Sequence, residues 1–472
     1  MYRFVNGKWS DKLIYEVDKL TNLVKKRLFL IVLTLSFFLS VYRISEDRII
    51  FTDELLIEDA AYGFSKGEWF IVPKISGKVD LAKPPMVYWL SSLPYVKFEP
   101  TPILRSWLMP LFGLLTVILL YKFTYKFYSE KTALWSAVLL ATSIPFIFFT
   151  KTANFDLPNA FFIMLTLYIY NSDSRNIYKF LFLSLVVSLG ILTRSFLFIF
   201  PILTVSLDSL IYRKEKVFTF FSISTGIVLT LPWHYLAFKS AGENFINQYL
   251  KLPYFSHFSG LVPGENITPF YYYLIILVAF PPSIMAILYV YRMFKNGVRN
   301  IRSVEFQIIF TIITLLLTLT ISKSRHIWYA LPLIPLFSIL SASELSTVSL
   351  KKRLNIFKKI GSTFLIVTIL VFPFYSIFYP FPEVNSVRAL RVMDKVSEGT
   401  LYMWEFAFFP TTRFFPNRKT EVLTKKDELK KIVNEKDIYF LLKNDNLEEF
   451  NDFQVKEVLF ENSGILLVKL GK

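Results

Sequence analysis

Between residues 28 and 380 the chain runs again and again through long apolar stretches with few charges, and this restricts its fold more than any other feature. A helix needs roughly 20 apolar residues to span the hydrocarbon of a bilayer. Segments near 28–44, 103–127, 133–150, 156–171, 178–193, 196–212, 217–238, 270–292, 306–322, 327–345 and 359–380 each come close. That predicts an α-helical polytopic membrane protein with about 11 to 13 transmembrane helices. Composition agrees: 54% hydrophobic, 18% aromatic and 50 Phe in 472 residues, unlike a soluble domain. The first 27 residues are charged, and no small-residue cleavage site follows the first span, so no cleavable signal is expected. Cysteine is absent, which removes disulfides and thiol chemistry.

A net charge of +17 raises the question of nucleic acid, but its distribution answers otherwise. With the N-terminus inside, Lys25-Lys26-Arg27, Lys122, Lys126, Lys131, Arg175, Arg213-Lys214-Lys216, Arg292, Lys295, Arg299, Arg302, Lys351-Lys352-Arg353 and Lys358-Lys359 fall on one side. This is the positive-inside pattern. It puts the N-terminus in the cytoplasm, and the segment 45–102 and the C-terminal region outside. Residues 386–472 hold 15 Lys+Arg against 14 Asp+Glu, so the basic excess belongs to the membrane part.

The C-terminal region has another texture. Short apolar runs at Thr400–Trp404, Asp437–Leu442, Val455–Phe460 and Gly464–Leu470 read as strands, and Lys425–Asn434 as a charged helix. A small α/β domain over 381–472 is expected, following a membrane part over 1–380. The boundary is marked by Tyr379-Pro380-Phe381-Pro382.

The topology brings four things to the outer face: the segment 45–102, read as a long loop; the turn Lys151–Asp156; the segment 239–269 with His257 and Glu265; and Ser322-Lys323-Ser324-Arg325-His326. Arg194 ends the fifth span on the same side. Cations are disfavoured outside, so Lys83, Lys151, Arg194, Lys323 and Arg325 need a cause, and an anionic ligand such as phosphate supplies one. Asp53, Glu54 and Asp156 are the candidate catalytic carboxylates. Each residue also has a plain structural role open to it. Asp53-Glu54 could be a solvated helix cap, Lys83 could snorkel, Asp156 could cap its span, and Arg325 and His326 could anchor at the interface. His257 has no second ligand at metal spacing, so no metal or other cofactor is expected. The joint placement on one face is the stronger signal.

Asp53-Glu54, then Gly67-Glu68-Trp69 with Val72-Pro73, then Lys83-Pro84-Pro85, Tyr88-Trp89 and Arg105 resemble the first outer segment of the lipid A aminoarabinose transferase family. That family is a branch of the GT-C glycosyltransferases related to protein O-mannosyltransferases. Asn154-Phe155-Asp156, Leu231-Pro232-Trp233 and the run Ser322–Pro332 fit the same pattern. The resemblance runs from about residue 50 to 340, and more loosely into the C-terminal region. The family often has Lys-Gly where this chain has Arg194-Ser195, and an acidic residue where this chain has Ala82.

The resemblance implies an inverting glycosyltransferase on the outer face of the bacterial inner membrane. Its donor is a polyprenyl-phosphate-linked sugar, such as 4-amino-4-deoxy-L-arabinose, and its acceptor lipid A or another envelope molecule. Lys83, Tyr88, Arg194, Lys323, Arg325, His326 and Tyr329 form the implied substrate-binding set. Lys83, Arg194 and Arg325 are the cations available to the leaving phosphate. For a hydroxyl acceptor Asp53 is the first choice of general base and Asp156 the second. A phosphate acceptor needs little deprotonation, and Asp53 would then orient it or hold an ammonium. The alternatives are transfer to a protein, or a transporter of lipid-linked substrate. A transporter would carry polar residues at mid-membrane and inverted repeats; here the polar residues gather at one face.

Overall fold

The computed structural model describes residues 27–249 apart from short stretches including 45–51, 68–70 and 174–176. Beyond these it describes most of 273–347 without 323–326, and the C-terminal region in part, chiefly 401–404, 420–423, 425–443 and 452–462 with 465–471. The expected span 359–380 lies outside the described residues.

The ten other expected spans all coincide with helix. They are α1 (Arg27–Val41), α4 (Pro102–Ser106) with α5 (Leu108–Phe127), α6 (Glu130–Ala141) with α7 (Ile144–Phe149), α8 (Asp156–Tyr170), α9 (Ile177–Arg194), α10 (Ile199–Ile211), α11 (Lys216–Val228) with α12 (Leu231–Ala241), α13 (Ser283–Lys295), α14 (Ser303–Ile321) and α15 (Leu333–Thr347). Among the described residues, four helical runs are long and apolar enough to cross a membrane: Ile103–Phe127, Ile177–Ile211, Lys216–Ala241 and Ser303–Ile321. Proline sets several breaks. Pro145 and Pro232 sit in the first turns of α7 and α12, where a missing N–H costs nothing but the preceding helix cannot continue.

The outer faces of these helices are apolar. Tyr178, Leu181, Phe182 and Leu185 on α9, and Ile284, Ile287, Leu288 and Tyr291 on α13, are exposed at helical spacing. A soluble helix would bury that stripe; such a stripe suits a face turned to lipid. Polar side chains turn inward instead and pair between helices. Thr204 shares a hydrogen bond with Thr311 (2.9 Å), and Asp208 accepts from Tyr170 (2.8 Å) and Ser303 (3.0 Å).

One end of the bundle gathers the basic residues. There Lys126 pairs with Asp173 (2.6 Å), Lys179 with Glu215 (3.0 Å), Arg292 with Glu344 (2.7 Å) and Arg302 with Glu305 (2.7 Å). The other end carries the start of α8, the end of α9, the start of α10 and the end of α14.

The segment 45–102, read as a long loop, contains regular elements. It folds into α2 (Thr52–Ser65), the short hairpin β1 (Lys74–Ile75) and β2 (Lys78–Val79), and α3 (Met86–Ser92). Ile57, Ala60, Phe64, Ile75, Leu81 and Tyr88 belong to the main core. A buried ion pair from Arg105 Nε to Glu58 Oε2 (2.5 Å) ties α2 to α4. Indole Nε1 of Trp233 donates to the carbonyl of Ile71 (2.7 Å) and ties the segment to α12.

At the C-terminus β3 (Leu401–Trp404), β4 (Thr420–Leu423), β5 (Ile438–Lys443), β6 (Gln454–Asn462) and β7 (Ile465–Gly471) form a mixed sheet in the order β4-β3-β5-β7-β6. β3 is parallel to β4 and β5; β7 is antiparallel to β5 and β6. Helix α16 (Lys426–Glu435) buries Leu429 and Val433, one turn apart, against a core with Trp404, Phe440 and Phe450. β4 was not expected.

Candidate active site

The site begins at the start of α8. Asn154 Oδ1 accepts from the backbone N–H of Asp156 (3.0 Å) and Leu157 (2.8 Å), and its Nδ2 donates to the carbonyls of Phe149 (2.9 Å) and Thr152 (2.6 Å). The amide thus caps α8 and holds the preceding turn. Asp156 is the first residue of the helix, at its positive dipole end, and is 0% exposed. A buried carboxylate needs a cation. Arg194, the last residue of α9, supplies it: Nη2 lies 3.0 Å from Oδ1 and 3.3 Å from Oδ2.

Arg194 is presented by a strained turn. Ser195 has φ +47°, a left-handed conformation that favours glycine. The Lys-Gly pair of the resembling family has its glycine at this position. The following 3-10 turn, Ser195–Phe198, folds back on α9, and the Phe198 ring occupies the space a side chain at Gly190 would need. Glycine at 190 is therefore required for the turn that aims Arg194.

Phe155, buried, lies between two cations. Lys83 Nζ and Arg194 Cζ are each 6.0 Å from its ring centroid. An aromatic face attracts both charges. Tyr88 packs edge-on against the same ring (5.3 Å, 83°), and the Arg194 guanidinium lies 5.1 Å from the Tyr329 ring. Asp53, second residue of α2 and half-buried, acts electrostatically on Lys83, Arg194, Asp156, Tyr88 and Tyr329. Asp80 accepts from the N–H of Ala82 (2.8 Å), and Gln248 Oε1 accepts from the N–H of Leu81 (3.0 Å), which shapes the strand leading to Lys83.

Lys83, Arg194 and Tyr329 border a partly open cleft. Ser195, Tyr249 and Ser322 add polar groups to its lining, and Pro84, Phe196, Leu197 and Leu319 apolar ones. The Tyr249 hydroxyl is 2.9 Å from His234 Nε2, whose Nδ1 is 2.8 Å from the carbonyl of Thr230. Among the described residues no group of three His, Asp or Glu side chains stands at metal-binding distance.

The charge states follow from burial. Loss of solvent, reinforced by the Arg194 guanidinium, lowers the Lys83 ammonium to about 8; Asp53, Asp156 and Asp80 oppose this. Burial, then the carboxylates of Asp80 and Asp53, hold the Tyr88 phenol well above its ordinary range, so it keeps its proton. If Lys83 contacts an anion, only its protonated form binds. Donor kcat/KM should therefore be flat below pH 8 and fall as pH rises through about 8. Lys83→Arg, charged throughout, should lack that alkaline limb. An identical limb in the arginine variant removes Lys83 from donor binding.

Of the residues singled out in the sequence, Asp53, Lys83, Tyr88, Asp156, Arg194 and Tyr329 come together. Glu54, about 100° further round α2, is buried; the carboxylates acting on Lys83 are Asp53, Asp156 and Asp80. Lys323, Arg325 and His326, like His257 and Glu265, lie outside the described residues. The sequence reading overlooked Phe155 as the shared wall of two cations, Tyr249 with His234, and Asp80. The Asn-Phe-Asp turn carried a signal for the first; the others are brought in by tertiary contacts alone.

A family model described as dolichyl-phosphate-mannose-protein mannosyltransferase matches residues 82–235, a stretch holding Lys83, Asp156 and Arg194. An uncharacterized protein of Aquifex aeolicus (strain VF5) is 29% identical over 342 residues, 70% of this chain and 66% of that relative. A second protein of the same organism is 26% identical over 210 residues, 44% of this chain and 49% of its own length. The chain thus spans just under two thirds of the first relative and about half of the second. ArnT from Cupriavidus metallidurans bound to undecaprenyl phosphate has a TM-score of 0.72 at 14% identity, over 94% of this chain and 97% of that one. At such identity the likeness is one of fold. The chain has the fold of that ArnT structure.

Proposed function

We propose that the chain is a membrane glycosyltransferase that moves a sugar from a polyprenyl-phosphate carrier to an envelope acceptor, with inversion. The observation that carries this reading is the meeting of Lys83 and Arg194 at a cleft with much apolar lining, with Asp156 paired to Arg194 and Asp53 acting electrostatically on both cations. The cations suit a phosphate, the carboxylates an acceptor, and the apolar wall a lipid tail. That the ArnT structure of similar fold binds undecaprenyl phosphate supports the donor class.

In the reaction the bond from the anomeric carbon to the carrier phosphate breaks, and one to the acceptor oxygen forms from the opposite face. Lys83 and Arg194 neutralise the phosphate charge that develops on the leaving group. For a hydroxyl acceptor, Asp53 receives the proton. We read 1–380 as the transferase part and 381–472 as an outer α/β domain. The active end faces the periplasm and the basic end the cytoplasm. Lipid A is our first acceptor, and a protein hydroxyl, favoured by the match to the mannosyltransferase model, is the second.

Mass spectrometry of lipid A from cells with and without the protein tests this. Lipid A gains one sugar mass only when the protein is present. If purified protein in lipid nanodiscs leaves polyprenyl-phosphate sugars unconsumed in the presence of envelope extract, the transferase reading fails. Sugar on protein rather than lipid A selects the second acceptor.

A further inference from the structure

Among the described residues, two that are not glycine have a left-handed backbone: Ser195 (φ +47°) and Glu215 (φ +41°). That conformation is unfavourable for a residue with a Cβ, and glycine adopts it freely. Glu215 has an evident use, since its carboxylate pairs with the buried Lys179 (3.0 Å). Ser195 has no such tie. Its hydroxyl makes no hydrogen bond among the described residues. Hydroxyls close by behave differently. Thr193 Oγ1 donates to the carbonyl of Leu189 (2.6 Å) and Thr318 Oγ1 to that of Thr314 (3.0 Å), the bond one turn back that Ser and Thr make in helices. Ser195, just past the last residue of α9, makes no bond of this kind. It is half-buried and lines the cleft, together with Lys83, Arg194 and Tyr329.

A strained residue at a cleft persists where its side chain is needed. Glycine would hold the same turn with less strain; what glycine lacks is the hydroxyl. The charges around the cleft name the ligand. Lys83 and Arg194 are both cations of its lining, so an anion held by them stands beside Ser195. Hydroxyls donate well to phosphate oxygens, because a charged acceptor strengthens the bond. We propose that the Ser195 hydroxyl donates a hydrogen bond to the carrier phosphate, and that the strained turn is kept for this contact. The inference rests on the donor reading above and adds a neutral contact to the two cations.

The test measures binding of polyprenyl phosphate, without sugar, to the full chain in lipid nanodiscs. Ser195→Ala removes the hydroxyl and keeps the Cβ. Its Tm should match the wild type, because no hydrogen bond within the protein is lost, while Kd rises about tenfold or more. Ser195→Gly should lose the same affinity with a Tm at or above the wild type, because the turn suits glycine. Polyprenol, the same lipid without its phosphate, should bind the wild type and Ser195→Ala alike. An unchanged Kd for polyprenyl phosphate in both variants overturns the proposal. So does an equal loss of polyprenol binding, which puts the hydroxyl on the lipid instead of the phosphate, and so does a lowered Tm in both variants with Kd kept. A wild type that binds polyprenyl phosphate no better than polyprenol refutes the donor reading itself, and the proposal falls with it.

Discussion

Asp53→Asn lowers transfer to a hydroxyl acceptor by about a hundredfold or more and leaves the protein folded. The amide keeps the shape of the side chain and removes its charge. Asp53 lies in the first turn of α2, where a carboxylate complements the helix dipole, so the stability cost is about 0.3–1 kcal/mol. The chemical cost is larger. Asp53 is only half-buried and reaches electrostatically to Lys83, Arg194 and Asp156, so a base at this position would stand beside the cations proposed to hold the phosphate. The measurement is initial rate of transfer, with thermal melting as a control for folding. Near-normal transfer by the variant would exclude Asp53 as the base.

Arg194→Ala has the largest effect on stability. The pair with Asp156 is almost wholly enclosed, with side-chain exposures of 4% and 1%. Removing the guanidinium leaves a carboxylate buried without its counter-charge, which costs about 3–5 kcal/mol or forces it to take up a proton. On the proposed mechanism the phosphate would also lose one of its two cations. A second substitution separates the two losses. Arg194→Ala with Asp156→Asn has no buried charge left at this position and should recover much of the melting temperature, yet stay inactive. If the double variant melts no higher than Arg194→Ala, the pair is not what holds α8 to α9. If it recovers transfer, neither residue belongs to the chemistry.

Several features were legible in the chain before any tertiary contact was known, and for identifiable reasons. Helices that cross hydrocarbon must satisfy their backbone internally, so span positions are written in local composition. α5, α8, α9, α10 and α14 fall where apolar runs of that length stand. The strands Leu401–Trp404 and Ile465–Gly471 carry dense apolar runs of their own and were likewise readable. β4 was not. It has four residues, Thr-Glu-Val-Leu, and becomes a strand because β3 offers a free parallel edge. The segment 45–102 was read as a long loop because neither α2, which carries acidic residues, nor the seven-residue α3 makes an apolar run of span length. What orders α2 is remote: Arg105 at Glu58, and Tyr88 beside Phe64.

The site divides along the same line. Residue type, side of the membrane and charge rarity on that side pointed to Asp53, Lys83, Asp156 and Arg194 without any coordinates. No local pattern could say that Asp156 and Arg194, 38 residues apart, form one ion pair, or that Lys83 and Arg194 share the Phe155 ring. Nor could it say that Ser195 would be held in a left-handed turn. By itself the sequence determined where most of the apolar helices lie, because transfer into hydrocarbon is a sum over neighbouring residues. Only the tertiary structure decided which charges meet and which polar groups stay free. Coulombic and hydrogen-bond energies depend on separations of a few ångströms, and packing between distant segments sets those.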